Sequence, residues 1–134
     1  MTDRSRLDAN ILNDVADALI YSDRSGTITR WNRASTALFG FTAGEALGQN
    51  LDLIIPEHLR AAHWKGFEAA LASGVMKLAG RPTLTRALHK TGRKLYIEMT
   101  FALVRDAGDN VQGSVAMARD VTERVERERA AKAS

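Results

Sequence analysis

Three histidines and no cysteine in 134 residues leave imidazole as the most plausible metal-ligating side chain in this sequence. The three are not placed alike. In the segment Ile55-Pro-Glu-His-Leu-Arg-Ala-Ala-His63, helical spacing puts Leu59, His63, Phe67 and Ala70 or Leu71 on one face, so His63 projects into an apolar stripe. Ala62, Gly66, Ala69 and Ala70 around it are small and leave room beside the ring for a flat ligand. His58 falls in the first turn of the same helix, and His89 stands beside the polar turn Lys90-Thr-Gly-Arg93. On the residues alone, His63 is either a packed core histidine or a ligand to something held in a pocket, and both readings stay open.

Other chemistries lack their parts. There is no Gly-rich phosphate loop, no His/Glu metal pair at helical spacing and no evident Ser/His/Asp set, so no catalytic residue is assigned. The chain is expected not to be an enzyme, with any catalytic output in a domain outside it. Without cysteine there is no disulfide, no thiolate metal site, no cysteine nucleophile and no cysteinyl photochemistry. The net charge is +3, and five of the 19 lysines and arginines lie in the last 16 positions, interleaved with four acids. Elsewhere the basic residues are scattered, with no Lys/Arg run alternating with aromatics, so a nucleic-acid partner is not expected. The apolar stretches fall short of the ~18–20 residues that cross a bilayer. Met1-Thr-Asp-Arg-Ser-Arg carries no secretion signal, so a cytoplasmic segment with no membrane partner is expected.

The elements that must position His63 read as follows. Leu7, Ile11, Leu12, Val15 and Ala16 at helical spacing predict an amphipathic helix over residues 5–17. Ala18–Ser22 and Thr27–Trp31 predict a hairpin, with Asp23-Arg-Ser-Gly26 as its turn. Asn32 can cap a helix through Leu38 that Gly40 ends, and Thr42-Ala-Gly-Glu45 is a capping box for a short helix stopped by Gly48. Pro56 and Glu57 open a longer helix to about Ala72, with Pro in its first turn, and Gly74 ends it.

The second half changes period. Leu95, Ile97, Met99, Phe101 and Leu103 share one face of a strand, with Lys94, Glu98 and Thr100 on the other. A run at Leu78–His89 precedes it, and Pro82 there predicts an edge or a bulge near the strand start. Val111–Val121 follows across the Asp106–Asn110 turn. The order predicts an α+β domain, one antiparallel sheet with helices gathered on one face.

These parts resemble the PAS sensor family. The matching elements are Gly26, Trp31-Asn-Arg-Ala34, Leu38-Phe-Gly-Phe41, Glu45-Ala-Leu-Gly-Gln-Asn50, Lys90-Thr-Gly-Arg93 and Arg119-Asp-Val-Thr-Glu-Arg124, across about residues 8–124. The resemblance implies a five-stranded antiparallel sheet whose helices wall off a pocket. It divides the chain into a flanking helix (1–17), a sensor core (18–121) and the start of a connector helix (122–134). The connector would be capped by Asp120 and Glu123, with Asp120/Arg124, Glu123/Arg127 and Glu128/Lys132 as i,i+4 pairs. Expected partners are a second copy, through the flanking helices, and a covalently linked effector domain, as in two-component systems.

Within the family, Pro56-Glu followed by His63 resembles the haem-binding FixL and direct-oxygen-sensor subgroup. That resemblance implies b-type haem with His63 as iron ligand, and a diatomic gas or redox state as the signal. Gly80-Arg81 resembles the FixL-type pair once a two-residue gap is allowed, which implies Arg81 as hydrogen-bond donor to bound dioxygen. Met99 and Phe101 match the positions of bulky apolar residues over the distal haem face, while on the residues alone they are simply core. Where the subgroup often carries basic or amide residues for the propionates, this chain has Ala69 and Ala70, leaving Lys77 or Arg86 for that role. Trp64 either walls the pocket or faces solvent. The alternative is a haem-free module for dimerisation and protein interaction, or for another small ligand. Cysteine-based flavin photosensing is excluded by composition, and a non-covalent flavin stays open as a third reading.

Overall fold

The computed structural model describes residues 2–77 and 80–133. Five antiparallel strands form one sheet in the order β2-β1-β5-β4-β3. The strands are β1 (Ala18–Asp23), β2 (Ile28–Trp31), β3 (Thr83–Leu88), β4 (Lys94–Arg105) and β5 (Val111–Asp120). The helices are α1 (Asp3–Asp14), α2 (Arg33–Phe39), α3 (Ala43–Ala46), α4 (Glu57–Ser73) and α5 (Thr122–Ala133), with a 3-10 turn at Leu51–Leu53.

Local chemistry explains most boundaries. Asp23 closes the β1–β2 turn by accepting from the Ser25 and Thr27 amides and the Ser25 hydroxyl, which holds its carboxyl below the usual range. Asn32 caps α2 through Ser35 N–H at 3.0 Å and also accepts from Leu19 N–H at 2.9 Å, so one side chain joins a helix start to β1. The Thr42/Glu45 capping box forms as expected. Gly40 and Gly74 end α2 and α4 in the left-handed conformation that a Cβ disfavours.

Four expectations shift. The first helix ends at Asp14, and Val15 is already extended. Pro56 is the N-cap of α4 and lies just outside its first turn. The third strand starts at Thr83, directly after Pro82, on the sheet edge where a missing N–H is tolerated; Leu78 and Ala79 of the expected run lie outside the described residues. Arg124 reaches Glu98 and Glu128, each at 3.9 Å, so its partners are on β4 and one turn ahead and not at Asp120. Asp120 does accept from the Thr122 amide at 2.9 Å, at the start of α5.

The core lies on the sheet face covered by α2 and α3: Ala18, Ile20, Leu95, Ile97 and Ala118 from the sheet meet Phe39, Ala46 and Ile54. Trp31 lies 5.5 Å from Phe39, and its indole N–H donates to the Phe41 carbonyl at 3.0 Å. Past this packed half, α4 stands over the rest of the same sheet face and encloses space.

Candidate functional site

That space is a cavity of about 830 Å³ between α4 and the sheet. Its size is within the ~300–1,000 Å³ usual for small-molecule and cofactor sites. The helix wall is Leu59, Ala62, His63, Gly66, Phe67 and Ala70, the stripe that helical spacing predicts. The sheet wall follows strand alternation: Ile20 and Ser22 from β1, Ser114 and Ala116 from β5, Ile97, Met99 and Phe101 from β4, Thr83 and Thr85 from β3. Leu51, Ile54 and Ile55 close the end near the 3-10 turn.

His63 is on the helix wall with its ring 5.9 Å from Phe67 in a stacked arrangement and 4.7 Å from Trp64 edge-on. Its Nδ1 is buried with no hydrogen-bond partner. Burial pushes the imidazole below its ordinary pKa, with the Asp52 carboxylate acting the other way, so the neutral form that can donate a lone pair is favoured. His58 is exposed. His89 turns to Thr91 Oγ1 at 3.0 Å, with its ring against Gly40, and does not line the cavity.

Of the other expected site residues, Met99 is buried and Phe101 half-buried, and both line the cavity from β4. Arg81 is exposed and is not among the lining residues. Lys65, Lys77 and Arg86 contribute to the lining, although the Arg86 guanidinium lies 5.6 Å from the centre of the Tyr96 ring. Trp64 takes neither of its expected places. It packs its ring onto Gly26, and its indole N–H donates to Asp52 Oδ1 at 2.8 Å.

Two features were not anticipated from the sequence: the Asp52–Trp64 bond, and the hydroxyls of Ser22, Ser114, Thr83 and Thr85 on the sheet wall. The period of two in the strands could have identified the hydroxyls, because Ile20 and Ser22 share a face. Nothing in local spacing joins Asp52 to Trp64.

The residues present fit a porphyrin. No group of three or more His, Asp or Glu that could hold a bare metal ion occurs among the described residues. A porphyrin supplies four nitrogens of its own and needs only one neutral imidazole from the protein. His63, on one wall of a largely apolar cavity, would be that imidazole, and Lys65 and Lys77 of the lining would face the carboxylates.

The family model described as PAS fold matches residues 6–121. An uncharacterized protein of Azorhizobium caulinodans is 32% identical over 128 residues, covering 95% of this chain and 16% of that protein. Sensor protein FixL of Bradyrhizobium diazoefficiens is 39% identical over 54 residues, covering 40% of this chain and 11% of FixL. The chain thus spans a small fraction of the curated relatives it matches. Among solved structures, a PAS domain from Colwellia psychrerythraea superposes with a TM-score of 0.76 at 24% identity, covering 90% of this chain and 99% of that one. An RNA-binding light-oxygen-voltage receptor gives a TM-score of 0.72 at 26% identity, covering 92% of this chain and 35% of that one.

Proposed function

This chain belongs to the PAS family of sensory domains, and we propose that its cavity holds b-type haem, with His63 as the protein's ligand to iron and with oxygen, another diatomic gas or redox state as the signal passed to an effector domain outside this chain. The observation that carries the reading is the part-buried imidazole of His63, its Nδ1 without a hydrogen-bond partner, on the wall of an 830 Å³ cavity. The local identity to a stretch of FixL supports it.

Haem would supply an iron centre able to bind a gas or change oxidation state. The protein's part is to hold the imidazole neutral, to shut water out with Phe67, Met99 and Phe101, and to neutralise propionates with Lys65 and Lys77. Change in the cavity would reach α5 through β4. Ile97 of β4 lines the cavity, and its neighbour Tyr96 bonds Thr122 and Val121 at the start of α5. Haemin reconstitution tests the reading. A Soret band that His63→Ala abolishes is expected, and wild-type protein with no Soret band would overturn it.

A second reading is favoured by α1, where Leu7 and Ile11 are 58% and 51% exposed. Apolar residues in that state suit a homodimer through the flanking helices, with or without haem. Light scattering should then show a dimer that becomes a monomer when residues 1–16 are removed. An unchanged mass would overturn it.

A further inference from the structure

Among the described residues, two buried side-chain polar atoms lack any hydrogen-bond partner, Ser22 Oγ and His63 Nδ1, and both residues line the same cavity from opposite walls. An atom left so gives up the hydrogen bond it would make with water, so folded proteins seldom keep one without a use. His63 has a use in the reading above. Ser22 does not.

Ser22 is 1% exposed, on the cavity-facing row of β1. It pairs in register with Ser114 of β5, itself 8% exposed and without a side-chain hydrogen bond among the described residues. The strands around this row are closely packed. The β1–β2 register shifts between Tyr21 and Ser22, where β2 carries Thr29 as an extra residue opposite β1. On β5 next to Ser114, a Cβ added to Gly113 would lie 2.1 Å from the Ser22 carbonyl oxygen, so only glycine lets the two strands approach this closely.

We infer that Ser22, with Ser114 beside it, is the polar recognition point of the cavity, receiving one hydrogen-bonding group of an otherwise apolar occupant. The inference rests on the cavity being a ligand site. The group has one chemistry and two sources: a hydroxyl or carbonyl on an organic ring compound, or a diatomic molecule held on a metal. Ser22 is then a specificity-determining residue, in a place where the exposed Arg81 does not reach the lining.

Three measurements test it on wild type, Ser22→Ala and Ser22→Ala/Ser114→Ala. Without ligand, Ser22→Ala should melt no lower than wild type, because it removes an unpaired buried hydroxyl; a clear fall in Tm would mark Ser22 as structural and overturn the inference. With 2-naphthol and naphthalene as fluorescent probes, wild type should prefer the hydroxyl compound by about tenfold, the ratio that one buried hydrogen bond gives, and Ser22→Ala should lose the preference. In haemin-loaded, reduced protein under carbon monoxide, Ser22→Ala should shift the C–O stretching frequency and Arg81→Ala should not. A response with naphthol alone assigns the group to an organic ligand, and a response with carbon monoxide assigns it to a metal-held diatomic. No response in either arm overturns the inference. Wild type that takes up neither haemin nor either naphthalene probe overturns the reading of the cavity as a ligand site, and the inference with it.

Discussion

Trp64 donates its indole N–H to Asp52 at 2.8 Å while its ring closes over Gly26 in the β1–β2 turn. The residue next to His63 thus ties α4 to the 3-10 turn and packs it on the β1–β2 turn. Arg60 adds to the tether through the Ile55 carbonyl at 3.0 Å and the Asp52 carbonyl at 3.3 Å. Of these contacts, the packing of Trp64 on Gly26 joins α4 to a turn of the sheet, and the bonds to Asp52 and Ile55 join it to the segment that leads into the helix.

Trp64→Phe keeps most of the packing and loses the bond to Asp52, which should lower unfolding free energy by about 1.5 kcal/mol in urea titrations. Gly26→Ala should cost more. Its backbone at φ +82° costs about 1–2 kcal/mol for any L-side chain, and the new Cβ would meet Trp64 at 2.2 Å. A Gly26→Ala protein as stable as wild type would show that the ring is not seated there.

The depressed pKa of His63 sets the sign of one pH dependence. Unfolding releases the imidazole to its ordinary value of 6.5, so below that pH the unfolded chain binds a proton that the folded one resists. This contribution to stability is complete above about pH 6.5 and is lost as pH falls through the folded value. His63→Gln should flatten that part of the urea-midpoint profile. An identical slope in the variant would assign the proton elsewhere.

Gly113→Ala forces a methyl group against the Ser22 carbonyl and the Tyr21 ring. Overpacking of this kind costs about 1–3 kcal/mol. Because Gly113 sits on the β1–β5 pair, the lost protection should appear in amide exchange of β1 before that of β3. Uniform loss across the sheet would contradict a local collision.

Arg129 lies 4.8 Å from the centre of the Tyr96 ring, on the sheet face opposite Leu95 and Ile97. Arg129→Ala should cost only about 0.5–1 kcal/mol, as exposed cation–π contacts do. Its visible effect should be faster amide exchange in α5 with β4 unchanged. Equal exchange in α5 would show that Thr122 alone holds the helix.

Most elements were legible because their signals are local. Asn32, the Thr42/Glu45 pair, Gly40 and Gly74 act within one turn of helix, and the Leu95-to-Leu103 alternation is a property of one strand. Local spacing overruns the end of α1 because Val15 and Ala16 continue the apolar pattern after the chain turns extended toward β1. Local spacing misses the Arg124–Glu98 contact because Glu98 is on β4, 26 residues back in sequence.

The site divides the same way. Helical period alone places His63 on the stripe that becomes the cavity wall, and strand period places Met99 and Phe101 on the facing wall. Whether the space between them exists depends on how far α4 stands off the sheet. Trp64 bonds Asp52 and packs on Gly26 from α4, a relation among three segments that no local spacing encodes. Likewise only the assembled sheet pairs Ser22 with Ser114 and leaves Arg81 outside the lining. Sequence determined the elements, the faces they bury and the imidazole that faces inward, because period and capping act over a few residues. Tertiary structure decided the cavity and its polar point, because these arise from contacts between residues far apart in the chain.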